Sequence, residues 1–167
     1  HSSSSGLASN AIGSIALDPN DPTEQTLYVG TGEPNGSSDS EAGVGLYKST
    51  DAGRTWRLVP GSVTAAKDRS IGAIAIDPQD PQHIYIGTDV ARHGSSSVNG
   101  GRFSPPHAPV IGLYESTDGG ATFSLVFSKE SDVVNPTSPN GSDFFRGGIT
   151  KIQFDRTGLS ADQPSVV

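Results

Sequence analysis

Apolar residues in this chain fall in short runs, each closed by a turn former. Ile12-Gly-Ser-Ile-Ala-Leu17 stops at Asp18-Pro19, Leu27-Tyr-Val29 at Gly30, and Ile71-Gly-Ala-Ile-Ala-Ile76 at Asp77-Pro78. Such runs, rich in β-branched and aromatic residues and bounded by Gly, Pro or Asp, predict strands. Asp-Pro ends a strand because Pro supplies no donor and biases its predecessor to extended geometry. No ten-residue stretch carries helical periodicity. The expected fold class is therefore all-β.

The runs recur in the same order. Ile12 to Pro22 returns as Ile71 to Pro81, Leu27 to Thr31 as Ile84 to Thr88, and Gly45 to Val59 as Gly112 to Val126. A third copy of the first block opens at Ile149-Thr-Lys-Ile-Gln-Phe-Asp155. The spacing is 59 residues from Ile12 to Ile71 and 78 from Ile71 to Ile149. A minimal four-stranded repeat needs roughly 40–50, so the excess belongs to loops.

Each copy predicts four strands. The first (Ile71 to Ile76) is apolar on both faces, which predicts an inner strand buried within a ring. The second is Leu27–Gly30 or Ile84–Gly87, the third Gly45–Ser49 or Gly112–Ser116, and the fourth Thr55–Val59 or Thr122–Val126. The expected organisation is a linker or preceding connection over residues 1–11, blade one over 12–65, blade two over 66–136, and the incomplete start of a third over 137–167. A β-propeller closes with about four to eight blades. The remaining blades are expected in the same chain or in another.

Between the third and fourth strands lies the sharpest motif. Ser49-Thr-Asp51-Ala-Gly53-Arg-Thr55-Trp56 fits S-x-D-x-G-x-T-W in full, and Ser116-Thr-Asp118-Gly-Gly120-Ala-Thr122-Phe123 fits it with Phe for Trp. The Asp can accept backbone N–H bonds across a tight turn. Gly53 and Gly120 can supply positive φ, and the aromatic can anchor the hairpin. The same Asp-Gly pairing invites a calcium reading, but D-x-[DN]-x-[DN]-G is absent. A structural turn is expected, with no metal and no cofactor.

This motif is identified as an Asp-box, or BNR, repeat. With I-x-x-I-A-x-D-P, L-Y-V-G-T and G-L-Y-x-S-T-D-x-G-x-T-W, nearly the whole chain resembles exported bacterial propellers of the sialidase-like, sortilin-like and xyloglucanase-like kinds. The resemblance implies the propeller fold. One fold hosts many activities, so it does not by itself choose among them.

Charge and composition narrow the choice. The net charge is −7, with no Lys/Arg cluster, which argues against nucleic acid and against anionic membrane surfaces. No stretch of 18 apolar residues exists, so no membrane insertion is expected. The absence of Cys removes disulfides, thiolate metal sites and thiol nucleophiles together. An extracellular, periplasmic or cell-surface setting is expected from the resemblance.

Candidate chemistry sits in the long loops, where rigid rings commonly carry function. Glu33, Asp39 and Glu41 form one acidic set; Arg92, His93, Arg102 and His107 form one that suits an anion. Gly/Ser-rich composition favours solvated loops for both. Within the xyloglucanase-like group, a T-D-V/I element after the second strand carries a catalytic carboxylate. The resemblance thereby makes Asp89 of Thr88-Asp89-Val90 a catalytic candidate, although Ala91-Arg92-His93 stand where that group has glycines. Glycoside hydrolysis needs a second carboxyl about 5–10 Å away, expected outside this chain. A sialidase reading is weaker: Phe145-Arg146-Gly-Gly lacks the Ile-Pro of that group, and Tyr28, Tyr47, Tyr85 and Tyr114 all fall at repeat positions.

The leading expectation is an exported propeller module that binds or scaffolds a glycan or protein ligand without catalysis. The alternatives are a fragment of a glycoside hydrolase and a structural subunit of a larger assembly.

Overall fold

The computed structural model describes residues 6–9, 11–35, 40–91, 108–127 and 148–154. They form two four-stranded antiparallel sheets, each a meander in chain order. The first holds β1 (Ile12–Leu17), β2 (Leu27–Thr31), β3 (Leu46–Ser49) and β4 (Arg57–Leu58). The second holds β5 (Ser70–Ile76), β6 (Ile84–Asp89), β7 (Leu113–Ser116) and β8 (Ser124–Phe127). Register repeats with the sequence. Ile15 lies opposite Val29 and Ile74 opposite Ile86, and each strand pair carries one irregularity near its start. The Asp-Pro turns close alike, with Asp18 Oδ1 accepting Asn20 N–H at 2.9 Å and Asp77 Oδ1 accepting Gln79 N–H at 2.8 Å.

A short helix, α1 (Ser62–Ala66), joins the sheets. It is too brief to leave a periodic signal, and the all-β expectation did not include it. The Ser62 hydroxyl fixes it by donating to Val59 O at 2.6 Å and accepting Leu46 N–H at 2.8 Å. Ala65 and Ala66 are buried and small, so the link passes close beneath the sheets.

The main core lies between the two blades. Tyr28, Leu46 and Val59 of the first meet Ile71, Ile76, Ile84, Ile86 and Tyr114 of the second. One junction recurs. Ile71 fills the notch beside Gly30, where an added Cβ would stand 2.5 Å from Ile71 Cβ. Ile149 of the third copy fills the notch beside Gly87, where an added Cβ would stand 2.5 Å from Ile149 Cγ2. Tyr28 shares the core with Ile76, and Tyr85 meets Phe154 at 5.8 Å between ring centroids. Glycine thus serves close approach here: it leaves space for the next blade's isoleucine.

One expectation fails for half of the molecule. A first strand buried on both faces describes β5, where Ile71 is 0% and Ile76 5% exposed. It does not describe β1, where Ile12, Ile15 and Leu17 are 42%, 65% and 54% exposed. Ser14 and Ala16 face the second blade: the Ser14 hydroxyl donates to Ile71 O at 2.8 Å, and Ala16 packs on the core. Neighbouring residues on β1 point the other way, where no described residue covers them.

Candidate functional site

At the far ends of β2 and β6, threonine hydroxyls fix the start of the following strand. Thr31 Oγ1 donates to Gly45 O at 2.7 Å and accepts Gly45 N–H at 3.0 Å. Thr88 Oγ1 donates to Gly112 O at 3.2 Å and accepts Gly112 N–H at 2.9 Å. Both threonines are fully buried, and each clamp sets the direction of the connection beyond it.

The residue after the threonine differs between the blades. The first blade has Gly32, where an added Cβ would lie 2.7 Å from Ser70 Cα. The second has Asp89, whose carboxylate packs directly against Gly148. Ser70 and Gly148 hold the same place one blade apart, so the small residue has changed sides of the junction. This exchange makes room for a carboxylate. Asp89 Oδ1 accepts Val90 N–H at 2.6 Å, and Ser70 Oγ donates to Val90 O at 3.1 Å. Asp89 is buried, paired with Ser70, and begins the connection toward residues 92–107. Of the other two buried acids among the described residues, Asp18 and Asp77, each is engaged in an Asp-Pro turn at the opposite strand ends.

The Ser-x-Asp turns form two matching networks. Ser49 Oγ donates to Asp51 Oδ1 at 2.8 Å and accepts Gly53 N–H at 2.9 Å, while Asp51 accepts Thr55 N–H at 2.8 Å and the Thr55 hydroxyl at 2.6 Å. The corresponding distances around Ser116, Asp118, Gly120 and Thr122 are 2.8, 2.8, 2.9 and 2.6 Å. Hydrogen bonds from Thr55 and Thr122, with smaller contributions from Ser49 and Ser116, hold both carboxyls down at about 2. Trp56 and Phe123 are half-buried, folded over Gly53 and Gly120. Both oxygens of each carboxylate accept hydrogen bonds within the turn.

Among the loop candidates, Glu33 and Glu41 come together. Glu33 N–H donates to Glu41 O at 2.9 Å, and Glu33 Oε2 accepts Glu41 N–H at 3.2 Å. They close a loop on itself. Asp39, Arg92, His93, Arg102 and His107 lie outside the described residues, as do Phe145 and Arg146. Among the described residues no group of three or more His, Asp or Glu side chains is arranged to hold a metal ion.

The structure adds a polar cluster that sequence reasoning missed. His83 Nε2 lies 2.7 Å from Glu115 Oε1, the Tyr85 hydroxyl donates to the same oxygen at 2.6 Å, and His83 Nδ1 lies 3.4 Å from Asp77 Oδ2. The Tyr85 bond, with the His83 bond and charge behind it, lowers the Glu115 carboxyl, while burial opposes this. Burial, then Glu115, raises the Tyr85 hydroxyl. A signal was available: the first blade has Thr26 and Lys48 at these places, and there Lys48 Nζ sits 5.0 Å above the Tyr28 ring.

Comparison with known proteins fits this architecture. The chain is similar to a structure of an ancestral GH74 enzyme (TM-score 0.53, 22% identity, 89% of this chain and 15% of that one). It is also similar to a GH74 enzyme of Niastella koreensis (TM-score 0.50, 24% identity, 90% and 18%). The fold these likenesses define is a partial β-propeller. By sequence, the chain is 32% identical over 165 residues to a xyloglucanase of Hypocrea jecorina, covering 91% of this chain and 17% of that protein. It is 33% identical over 155 residues to a xyloglucanase of a Paenibacillus species, covering 89% and 13%. The chain therefore spans less than a fifth of the length of these relatives. No family model matches it.

Proposed function

We propose that this chain is a propeller segment of a glycoside hydrolase acting on a xyloglucan-like polysaccharide, with Asp89 as one of its two reacting carboxyls. The observation that carries the reading is the Asp89–Gly148 exchange. The blade gives up a small residue at one place to seat a carboxylate at a strand end, where only turn contacts are otherwise needed. Relatives named as xyloglucanases, similar along about nine-tenths of the chain, support the substrate class. Hydrolysis of an acetal needs one carboxyl to protonate the leaving oxygen and another to activate water or attack carbon. The second carboxyl comes from outside this chain. A polymeric substrate does not cross membranes, so the reading implies work outside the cell.

The test is Asp89→Asn in the whole protein that contains this chain, assayed by reducing ends released from xyloglucan. Loss of one of two reacting carboxyls should lower turnover by about 10²-fold or more, with the circular dichroism spectrum unchanged. Undiminished turnover rejects Asp89. If the unaltered whole protein binds xyloglucan oligosaccharides without cleaving them, a glycan-binding scaffold replaces the hydrolase.

A further inference from the structure

We infer that Arg69 is a positioning residue for Asp89: it ties the connection that Asp89 opens to the matching connection of the preceding blade, and so fixes the strand end that carries the carboxylate. The inference deepens the proposed hydrolysis and rests on that reading of Asp89.

The connections that follow β2 and β6 both return to the linker between the blades. On the first-blade side, Arg69 O accepts Gly43 N–H at 2.8 Å, and Asp68 N–H donates to Gly43 O at 3.1 Å. Gly43 is pressed against this linker, since an added Cβ would stand 2.6 Å from Arg69 O. On the second-blade side, Arg69 Nε–H donates to Pro109 O at 2.6 Å. One residue thus holds the returning ends of both connections. The next residue, Ser70, holds the departing end of the second. It pairs with Asp89 in the sheet, and its hydroxyl donates to Val90 O at 3.1 Å. Val90 N–H in turn donates to Asp89 Oδ1 at 2.6 Å. A shift of this frame therefore shifts the carboxylate.

Packing alone does not account for the residue type. Of the Lys and Arg side chains among the described residues, only that of Arg69 is buried, at 3% exposure. Taking a cation out of water is costly, and an apolar side chain of similar volume would serve a core better. The guanidinium adds a rigid planar set of donors that reaches across the junction. Nor does the repeat supply it: the first copy has Asn10 at this place and the third has Gly147. Arg69 occurs in the blade whose second strand runs into Asp89, where the first blade has Asn10 and Gly32.

The test is Arg69→Met in the whole protein that contains this chain, made alone and together with Asp89→Asn. Amide hydrogen exchange should quicken about tenfold or more over residues 89–91 and 109–112, with the strand residues 84–87 unchanged. Turnover of xyloglucan should fall about tenfold, with KM held within about twofold, because a carboxylate displaced by a fraction of an ångström still leaves substrate bound. Arg69→Met should cause no further fall when Asp89→Asn is already present. Arg69→Lys, which keeps the charge and a donor, should recover most of the turnover, and Arg69→Gln carries the same comparison if Arg69→Met does not fold. Unchanged exchange in both segments overturns the inference. Exchange that rises equally in the strands overturns it in favour of a general loss of stability. An equal fall in turnover with and without Asp89→Asn overturns action through Asp89. Faster exchange confined to the two segments, with turnover indifferent to Asp89→Asn itself, sustains the tie made by Arg69 and rejects the hydrolytic role of Asp89 instead.

Discussion

β1 and β5 share a sequence pattern and the same place in their sheets, yet one is half in solvent and the other is sealed. Ile12-Gly-Ser-Ile-Ala-Leu and Ile71-Gly-Ala-Ile-Ala-Ile pair with their second strands in the same register. The difference lies in what precedes them. β5 leans on both β1 and β2, with Ile71 in the Gly30 notch, whereas β1 has no described blade on its own outer side. The apolar pattern of a strand states what it is able to bury, and the neighbour decides how much is buried.

Single substitutions sharpen this contrast most. Ile71→Ala removes a fully buried side chain and should cost about 2–5 kcal/mol, read from the urea midpoint. Ile12→Ala removes the same atoms from a half-exposed site and should cost roughly 1 kcal/mol or less. Equal costs would mean that β1 is covered in solution, and the contrast would collapse.

Acid should then remove what the two blades hold in common. The folded-state carboxyls of Asp51 and Asp118 stand at about 2, below the ordinary 3.8. Their contribution is therefore present above about pH 4 and is lost as pH falls toward 2. Asp51→Asn and Asp118→Asn should each flatten the fall in urea midpoint between pH 4 and pH 2. A slope unchanged in both variants would place the acid sensitivity elsewhere.

The smallest effect concerns a mismatch between the two turns. Ala52 has φ 57° where the second blade has Gly119 at φ 69°. A left-handed alanine costs roughly 1 kcal/mol, so Ala52→Gly should raise the melting temperature slightly. Gly119→Ala should lower it, since the new Cβ would meet Gln82 Oε1 at 2.7 Å. Opposite signs at equivalent positions are the outcome to look for. Like signs would show that the turns are not equivalent.

Strand order and the turn networks were legible because their causes are local: Asp-Pro stops, Thr after Gly, and Ser, Asp and Thr within seven residues. The exposure of β1 was not legible, since its residues match those of β5 and the cause is a neighbour. α1 escaped because five residues hold barely one turn. Asp89 stood out only through resemblance. Its seat beside Gly148 becomes visible once the repeats are aligned and Gly32/Ser70 is set against Asp89/Gly148. Arg69 gave no signal at all. It is a buried charge in a linker, whose Nε–H donates to Pro109 O at 2.6 Å, a partner 40 residues away in sequence.

The Gly30–Ile71 junction has one more consequence. Each Ser-x-Asp turn is closed by polar groups of its own sheet, while an apolar seam joins the second strand of one sheet to the first strand of the next. A unit that keeps this seam whole runs from β2 to β5, one strand out of phase with the sequence repeat. A duplication or deletion cut at the sheet boundary severs this unit. One cut between the first and second strands carries it intact, so the seam, more than the sheet, is the natural module for growth of such a ring.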